Sequence, residues 1–281
     1  MRRHHAGTVR RSGLDRLPAW LHGWLVPLLV LLLWQLVSSA DLLSDTLLPS
    51  PLQIVQAFAA LLVSGELARH LGISMYRALL GFALGGALGL LIGISSGLGK
   101  LVEKTLDPTL QMLRTVPLLA VIPLFILWFG IGEFSKVLLI SAGTFFPIYL
   151  NTFLGIRSVD VKLYQVSRIL EYTRLQQITG LILPAALPNI LLGVRLSLGV
   201  SWLLLVVAEM MGTSAGVGYM IQDARAYSET AVVFVGIILF ALVGKLSDSA
   251  VRRLERSWLR WRDTYKGQEH APTNGRASSH S

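Results

Sequence analysis

Residues 163–189 read LYQVSRILEYTRLQQITGLILPAALPN. The stretch opens polar and charged, and it closes on two prolines at the entrance to a long apolar run. It sits between two segments apolar enough to cross a bilayer, and its reading decides what the rest of the chain is. Connectors in helical bundles usually run about two to eight residues, and this one is far longer. Asp160 offers an N-cap for a helix from about Val161 to Leu170, because a short carboxylate can accept from the first free amides. Thr173 with Gln176 has the capping-box spacing for a second short helix. Pro184 and Pro188 suit the first turn of the following run, where a missing amide costs little. The loop reads as helix, turn, helix and re-entry. Such a loop is a shaped surface for docking a partner; a plain connector is the alternative.

Composition supports the membrane reading on either side of it. The chain has 281 residues, of which only 15% are charged, against about a quarter in soluble domains. Its mean hydropathy is +0.60. Six runs approach the 17–25 residues that a spanning helix needs: 22–40, 72–98, 113–131, 136–156, 186–208 and 231–250. All are expected to be helical, since an open strand edge has no partner in lipid. The fold class is an all-α integral membrane protein with six transmembrane helices. Ser38-Ser39-Ala40 also resembles a small-residue cleavage site after a signal peptide. The long basic flank and the apolar spans downstream favour an uncleaved first span.

Charge orients the spans. Arg2, Arg3, Arg10, Arg11 and Arg16 precede the first span. Asp41, Asp45 and Glu66 follow it, and Lys100, Lys104 and Arg114 follow the second. Arg157, Lys162, Arg168 and Arg174 mark the opening loop; Glu209, Asp223 and Glu229 precede the last span. A run of arginines from Arg252 closes the pattern. The positive-inside rule then places both termini and the 157–182 loop in the cytoplasm. The net charge of +9 is spent on these faces, and it does not indicate a nucleic-acid partner. Three regions follow: a basic segment 1–20, a transmembrane domain 21–262, and a polar tail 263–281 with nothing apolar to fold around. Within VRRLERSWLRWRDTY, Trp258 and Trp261 suit an interfacial helix extending the last span.

The second span carries a finer pattern. Gly81, Gly85, Gly89, Gly93 and Gly97 recur every four residues. At that spacing they form one drifting ridge without side chains, along which helix backbones can approach closely. Ordinary glycine enrichment of membrane helices is the alternative. Prolines at 117, 123, 147, 184 and 188 interrupt spans three to five, and each can kink a helix.

The chain resembles the inner-membrane permeases of binding-protein-dependent ABC importers. Their signature loop reads Glu-Ala-Ala, three residues, Gly, nine residues, Ile, any residue, Leu-Pro. Leu183-Pro184 fit its end and Leu181 takes the Ile position. Glu171 stands at the Gly position, and Gln165, Val166 and Ser167 stand where Glu-Ala-Ala is expected. A glutamate there would be strained by roughly 1 kcal/mol if the left-handed turn were kept; another turn geometry would instead present its charge to the partner. LPSPLQIVQAF, SMYRALLGFALGGALGLLIG, the run from 110 to 160 and AVVFVGIILFALVGKLSD look like the sulfonate, taurine and nitrate branch, the aliphatic sulfonate permeases above all.

The resemblance implies a type I, MetI-like permease fold and a homodimer. It further implies two copies of an ATPase subunit on the cytoplasmic loop, a solute-binding protein on the outer face, and no cofactor. It makes Gln165, Val166, Ser167, Leu170, Glu171, Tyr172 and Thr173 the ATPase-coupling residues. The rivals are the same machine for taurine, nitrate or another small anion, and a stand-alone secondary transporter or channel. The last calls for acids deep in several spans, of which the sequence shows essentially none.

Catalytic patterns are missing. There is no cysteine, which excludes disulfides and thiolate chemistry. No phosphate-binding loop, HExxH or GxSxG occurs. His4, His5, His22, His70, His270 and His280 lack metal-ligand spacing. The reading is a transport subunit and not an enzyme. Ionisable groups inside a membrane are costly and usually functional, which singles out Arg195. With Ser197 and Ser201 it could meet an anion in a translocation path, its planar fork matching an oxyanion; pairing with a carbonyl or an acid is the alternative. Thr144, Tyr149 and Asn151 add polarity to the fourth span as path residues or as helix–helix bonds. Glu209, Asp223 and Arg225 are candidates for outer-face contacts, with Glu209 paired to Arg225, meeting the binding protein, or lying as a simple interfacial acid.

Overall fold

The computed structural model describes residues 19–40, 44 and 46–259, with side chains from Val26 onward. The basic N-terminal segment, the polar tail, Asp41, Asp45 and Trp261 lie outside these residues. All regular structure among the described residues is helical: α1 Ala19–Ser39, α2 Pro51–Val63, α3 Glu66–Leu98, α4 Lys100–Arg114, α5 Leu118–Phe129 and α6 Glu133–Arg157. There follow α7 Val161–Ile169, α8 Arg174–Gln177, a π turn Ile178–Ile182, α9 Leu183–Met210, α10 Val217–Ala226 and α11 Thr230–Trp258.

Four helices are long and apolar enough to cross a membrane: α3, α6, α11, and the continuous run Arg174–Met210 that contains α9. The expected span at 113–131 is not one helix. Pro117 is extended (φ −64°, ψ 113°) and Thr115 caps the end of α4. A proline disfavours helical backbone at the residue before it, so the chain breaks at 115–117, and α4 and α5 meet at 98°. That pair can form a fifth span only as a bent unit. The last helix runs on through VRRLERSW to Trp258.

The core is built around α6. Its membrane window is 56% buried, against 22–33% in the other three. One side of α6 receives the glycine ridge of α3. A Cβ on Gly81 would stand 2.6 Å from Ile140 Cγ2, one on Gly89 2.6 Å from the Phe145 carbonyl, and one on Gly93 2.8 Å from Thr152 Cβ. At Gly85 a Cβ would run into the Ser141 carbonyl and Thr144 Oγ1. The ridge is therefore a packing seam. The other side of α6 meets α9 through glycines on both helices: Gly155 against Asn189 and Ala186, Gly193 against Asn151 and the Pro147 carbonyl. Pro147 lies within α6 and Pro123 within α5 without ending either helix. Pro184 sits in the first turn of α9, but Pro188 lies inside it.

Two short helices close the end of the bundle away from the 157–182 loop. α2 begins with a full capping box, in which Ser50 and Gln53 serve each other's backbone amides. Its Ile54 packs with Leu67, Val217, Met220, Ile221, Val235 and Leu239, joining α2, α3, α10 and α11. Trp34 on α1 donates its indole N–H to the Pro49 carbonyl at 3.1 Å.

Candidate coupling and translocation sites

The loop forms as its caps dictate. Asp160 Oδ1 accepts from the Lys162 amide at 2.9 Å and starts α7. α7 ends in two bonds, Tyr172 N–H to the Ser167 carbonyl and Glu171 N–H to the Arg168 carbonyl. This is the Schellman pattern, whose C′ residue must be left-handed and is usually glycine. Here it is Glu171, at φ +52°. The glutamate keeps the turn that glycine favours, so the alternative geometry is not used. Thr173 and Gln176 then form the expected capping box of α8.

The underside of the loop is anchored. Ser167 is buried; it donates to the Tyr164 carbonyl and accepts from Gln177 Nε2 at 2.6 Å, pinning α7 to α8. In the free chain it braces the loop from within. Ile156, Val159, Ile182 and Ala186 pack beneath, with Tyr164 and Ile178, and join the loop to the ends of α6 and α9. Arg157 reaches Glu103 on α4 at 3.0 Å. The upper face is open and carries large apolar side chains among exposed Lys162, Arg168 and Arg174. Ile169 is 80% exposed and Leu175 70%, and Val161, Val166, Leu170 and Tyr172 are exposed beside them. Gln165, Glu171 and Thr173 share that exposure. Ile169 and Leu175 were missed in the sequence, although large apolar residues in an otherwise polar loop are the signal for such a face.

The mid-bundle residues are placed as staples. Thr144 is fully buried, and its hydroxyl lies 3.1 Å from the Ser141 carbonyl and 3.3 Å from that of Gly81 on α3. Ser197 donates to the Thr144 carbonyl at 2.7 Å, and Ser201 reaches the Ala78 carbonyl at 3.5 Å. These three are buried and tie α3, α6 and α9 together, as the helix–helix alternative for Thr144 has it. Asn151 donates to the Pro147 carbonyl on its own helix, and Tyr149 donates to Asp107 on α4 at 2.6 Å. Arg195 is different. Its Nε meets Asp248 Oδ1 on α11 at 2.8 Å, yet its side chain is 40% exposed. The other Asp248 oxygen takes Arg252. Asp248 falls within the sixth span read from the sequence, so that span does hold an acid, shared between two arginines.

At the opposite end, Glu209 is 1% exposed. It accepts from Arg77 Nη1 at 2.8 Å, from Ser74 Oγ and from the Gly218 amide at 2.9 Å. Arg77 is the cation it meets. Its Nε and Nη2 grip both oxygens of Glu133, which also holds Lys136, and its Nη1 donates to the Ala215 carbonyl. Two cations thus meet two carboxylates. The loop to α10 wraps this cluster: Gly216, at φ +118°, leaves room where a Cβ would strike the Glu209 carboxylate, and its amide donates to His70 Nδ1. Asp223 and Arg225 are exposed on α10. Arg77 stands within the second span, and the rule that flagged Arg195 would have found it.

Comparison with known proteins follows this geometry. Residues 85–260 match the family described as binding-protein-dependent transport system inner membrane component. A Bacillus subtilis protein named as an aliphatic sulfonates transport permease is 59% identical over 94% of this chain and 95% of its own length. An Escherichia coli protein of the same name is 50% identical over 88% and 94%. A taurine transport system permease protein of E. coli is 35% identical over 83% and 86%. Among solved structures, a chain of the MetNI methionine ABC transporter superposes with TM-score 0.53 at 20% identity, over 72% of this chain and 97% of that one. A chain of an amino acid ABC transporter gives 0.57 at 19%, over 74% and 97%.

Proposed function

Because the chain belongs to the family of binding-protein-dependent transport system inner membrane components, we propose that it carries aliphatic sulfonates across the inner membrane as a homodimer. It is a permease subunit of an ABC importer and not an enzyme. The substrate reading is supported by the two sulfonate permeases at 59% and 50% identity. The same machine carrying taurine is the second reading, supported by the relative at 35%; nitrate or another small anion would use the same assembly.

The observation that carries the mechanism is the open apolar face of the 157–182 loop, set on a braced underside. Two ATPase subunits dock there, one on each copy of the chain, and a solute-binding protein docks on the opposite end. Six spans, counting α1 and the bent α4–α5 pair, put both termini in the cytoplasm with the loop. Closure of the ATPases on ATP displaces α7 and α8. The push passes into α6 and α9 through Ile156, Val159, Ile182 and Ala186. Those helices and α3 are stapled without slack, so they move as one body, and packed interfaces switch between discrete arrangements. Access to the midline changes sides when the two copies rock. The switch requires solute and partner to differ in affinity for the two states.

Uptake in vesicles holding the chain, its ATPase and its binding protein tests this reading. Ethanesulfonate should enter only with ATP and all three components, ahead of taurine and nitrate. Uptake by the chain alone would overturn the importer mechanism.

A further inference from the structure

A cleft of about 450 Å³ lies between α9 and α11. Arg195 and Asp248 line it nearest the loop, Trp202 lies seven residues further along α9, and Leu196, Gly199 and Gly244 share the wall with Leu198 and Ser247. At 1.5 Å per residue those seven residues make the cleft about 10 Å long. Its volume falls within the roughly 300–1,000 Å³ of small-molecule sites.

The two ends differ in chemistry. Only Nε of Arg195 is engaged, by Asp248; neither terminal nitrogen has a partner among the described residues. Asp248 is itself divided between Arg195 and Arg252, so two cations face one carboxylate and the site keeps a positive excess. Apart from Ser247 the remainder is apolar and roomy. A Cβ on either Gly199 or Gly244 would meet nothing within 4 Å. The Trp202 indole N–H is buried and finds no acceptor among the described residues.

We propose that this cleft binds a small alkyl anion from solution, its oxyanion head on the free edge of Arg195 and its chain along Leu196, Gly199, Gly244 and Trp202. The proposal rests on the importer reading and names where the permease itself holds its solute. The guanidinium edge gives two parallel donors to one oxyanion, and the walls reward the chain. Asp248 acts as the internal competitor that holds Arg195 in place between solute molecules. A phospholipid has the same head-and-tail chemistry, but its tail spans half of the roughly 30 Å hydrocarbon core, more than the cleft offers.

The test is calorimetric titration of the full chain in phosphatidylcholine nanodiscs with methane-, ethane- and propanesulfonate, and with propanol as the uncharged control. Affinity should rise about fourfold per methylene, and propanol should not bind. Arg195→Gln should weaken binding at least tenfold. If that variant fails to fold for want of the Asp248 pair, Gly199→Leu fills the open space without touching a charge and should abolish binding at an unchanged melting temperature. Asp248→Asn should tighten binding. Affinity that ignores chain length, or survives both Arg195→Gln and Gly199→Leu, overturns the proposal. So does loss of sulfonate binding when phosphatidylglycerol is added, which would make a lipid the occupant. Uptake by the whole importer is read separately: uptake without chain-length-dependent binding removes the cleft alone, whereas binding without ATP-driven uptake removes the importer mechanism and keeps the cleft.

Discussion

Arg77 on α3 and Glu209 on α9 lie 132 positions apart in sequence, and Nη1 of the first donates to Oε1 of the second across 2.8 Å. Both are buried, and every charge in their cluster is answered: Glu133 takes the rest of the guanidinium, and Ser74 and Gly218 serve the Glu209 carboxylate. The pair fastens α3 to α9 at the end where α6 also begins. It is the electrostatic counterpart of the glycine seams that fasten the same helices along their length. The bundle is thus locked at one end by charge and along its length by close backbone contact. The loop for the partner stands at the other end.

Removing one member of such a pair leaves the other charge buried alone. Glu209→Gln or Arg77→Gln should destabilise the chain by about 3–5 kcal/mol, whereas exchange of both for apolar residues should restore part of the loss. Thermal melting of the two single variants and the Arg77→Met, Glu209→Leu double variant in detergent checks this. Additive losses in the double variant would show that the two residues are not coupled.

The glycine seam was legible because its period alone places five residues on one face. The caps at Asp160 and Thr173 were legible for a similar reason, since capping is decided within four residues. The partner of Glu209 was not legible because nothing local identifies a residue 132 positions away. The inward bonds of Thr144, Ser197 and Ser201 were hidden for a different reason. α6 and α9 are apolar nearly all round, so no amphipathic stripe says which face turns inward. Pro117 was legible as an interruption of the third span, but hydropathy, which counts it as one weakly polar position in an apolar window, gave no sign that the helix ends there and turns by 98°. α2 was overlooked although its Ser-Pro-Leu-Gln start is a capping box, because its 13 residues are too few to span a bilayer.

Gly85 and Gly72 lie on the same helix and should respond in opposite directions to alanine. At Gly85 the new methyl would meet the Ser141 carbonyl and Thr144 Oγ1; at Gly72 it would meet nothing within 4 Å. Gly85→Ala should cost about 1–3 kcal/mol through forced separation of α3 and α6. Gly72→Ala should gain up to about 1 kcal/mol from helix propensity. Melting temperatures of the purified variants decide the matter, and equal shifts would mean that the seam is not close-packed.

Glu171 holds a left-handed backbone at φ +52°, which strains a residue with a side chain by roughly 1–2 kcal/mol. Glu171→Gly removes that strain but adds about 0.5–1 kcal/mol of backbone entropy to the unfolded chain. The net expectation is a gain of up to about 1.5 kcal/mol, with Glu171→Val losing stability because a β-branched residue fits this region worst. If the Glu171 carboxylate also serves the ATPase, Glu171→Gly will raise the melting temperature and lower solute-stimulated ATP hydrolysis together. A rise in both would mean that only the turn matters at this position.

The apolar face of the loop gives the most direct test of coupling. Ile169 and Leu175 are the most exposed large residues on it, and Leu170 and Tyr172 stand next to them. An apolar side chain exposed to this degree contributes little to the fold, so a charge there should leave insertion and melting temperature unchanged. The same charge would be driven into an apolar contact when the ATPase docks, and burying an unpaired carboxylate costs several kcal/mol. Ile169→Glu and Leu170→Glu should therefore release the ATPase on gel filtration and reduce uptake at least a hundredfold. Ser167→Ala is the complementary variant. Ser167 is buried under the same helix and bonded to Gln177, so its loss should lower thermal stability by about 1 kcal/mol while leaving the exposed face intact. Uptake should then fall only as far as the loop loses order. Glutamate variants that retain the ATPase and full uptake would place the docking surface elsewhere on the chain.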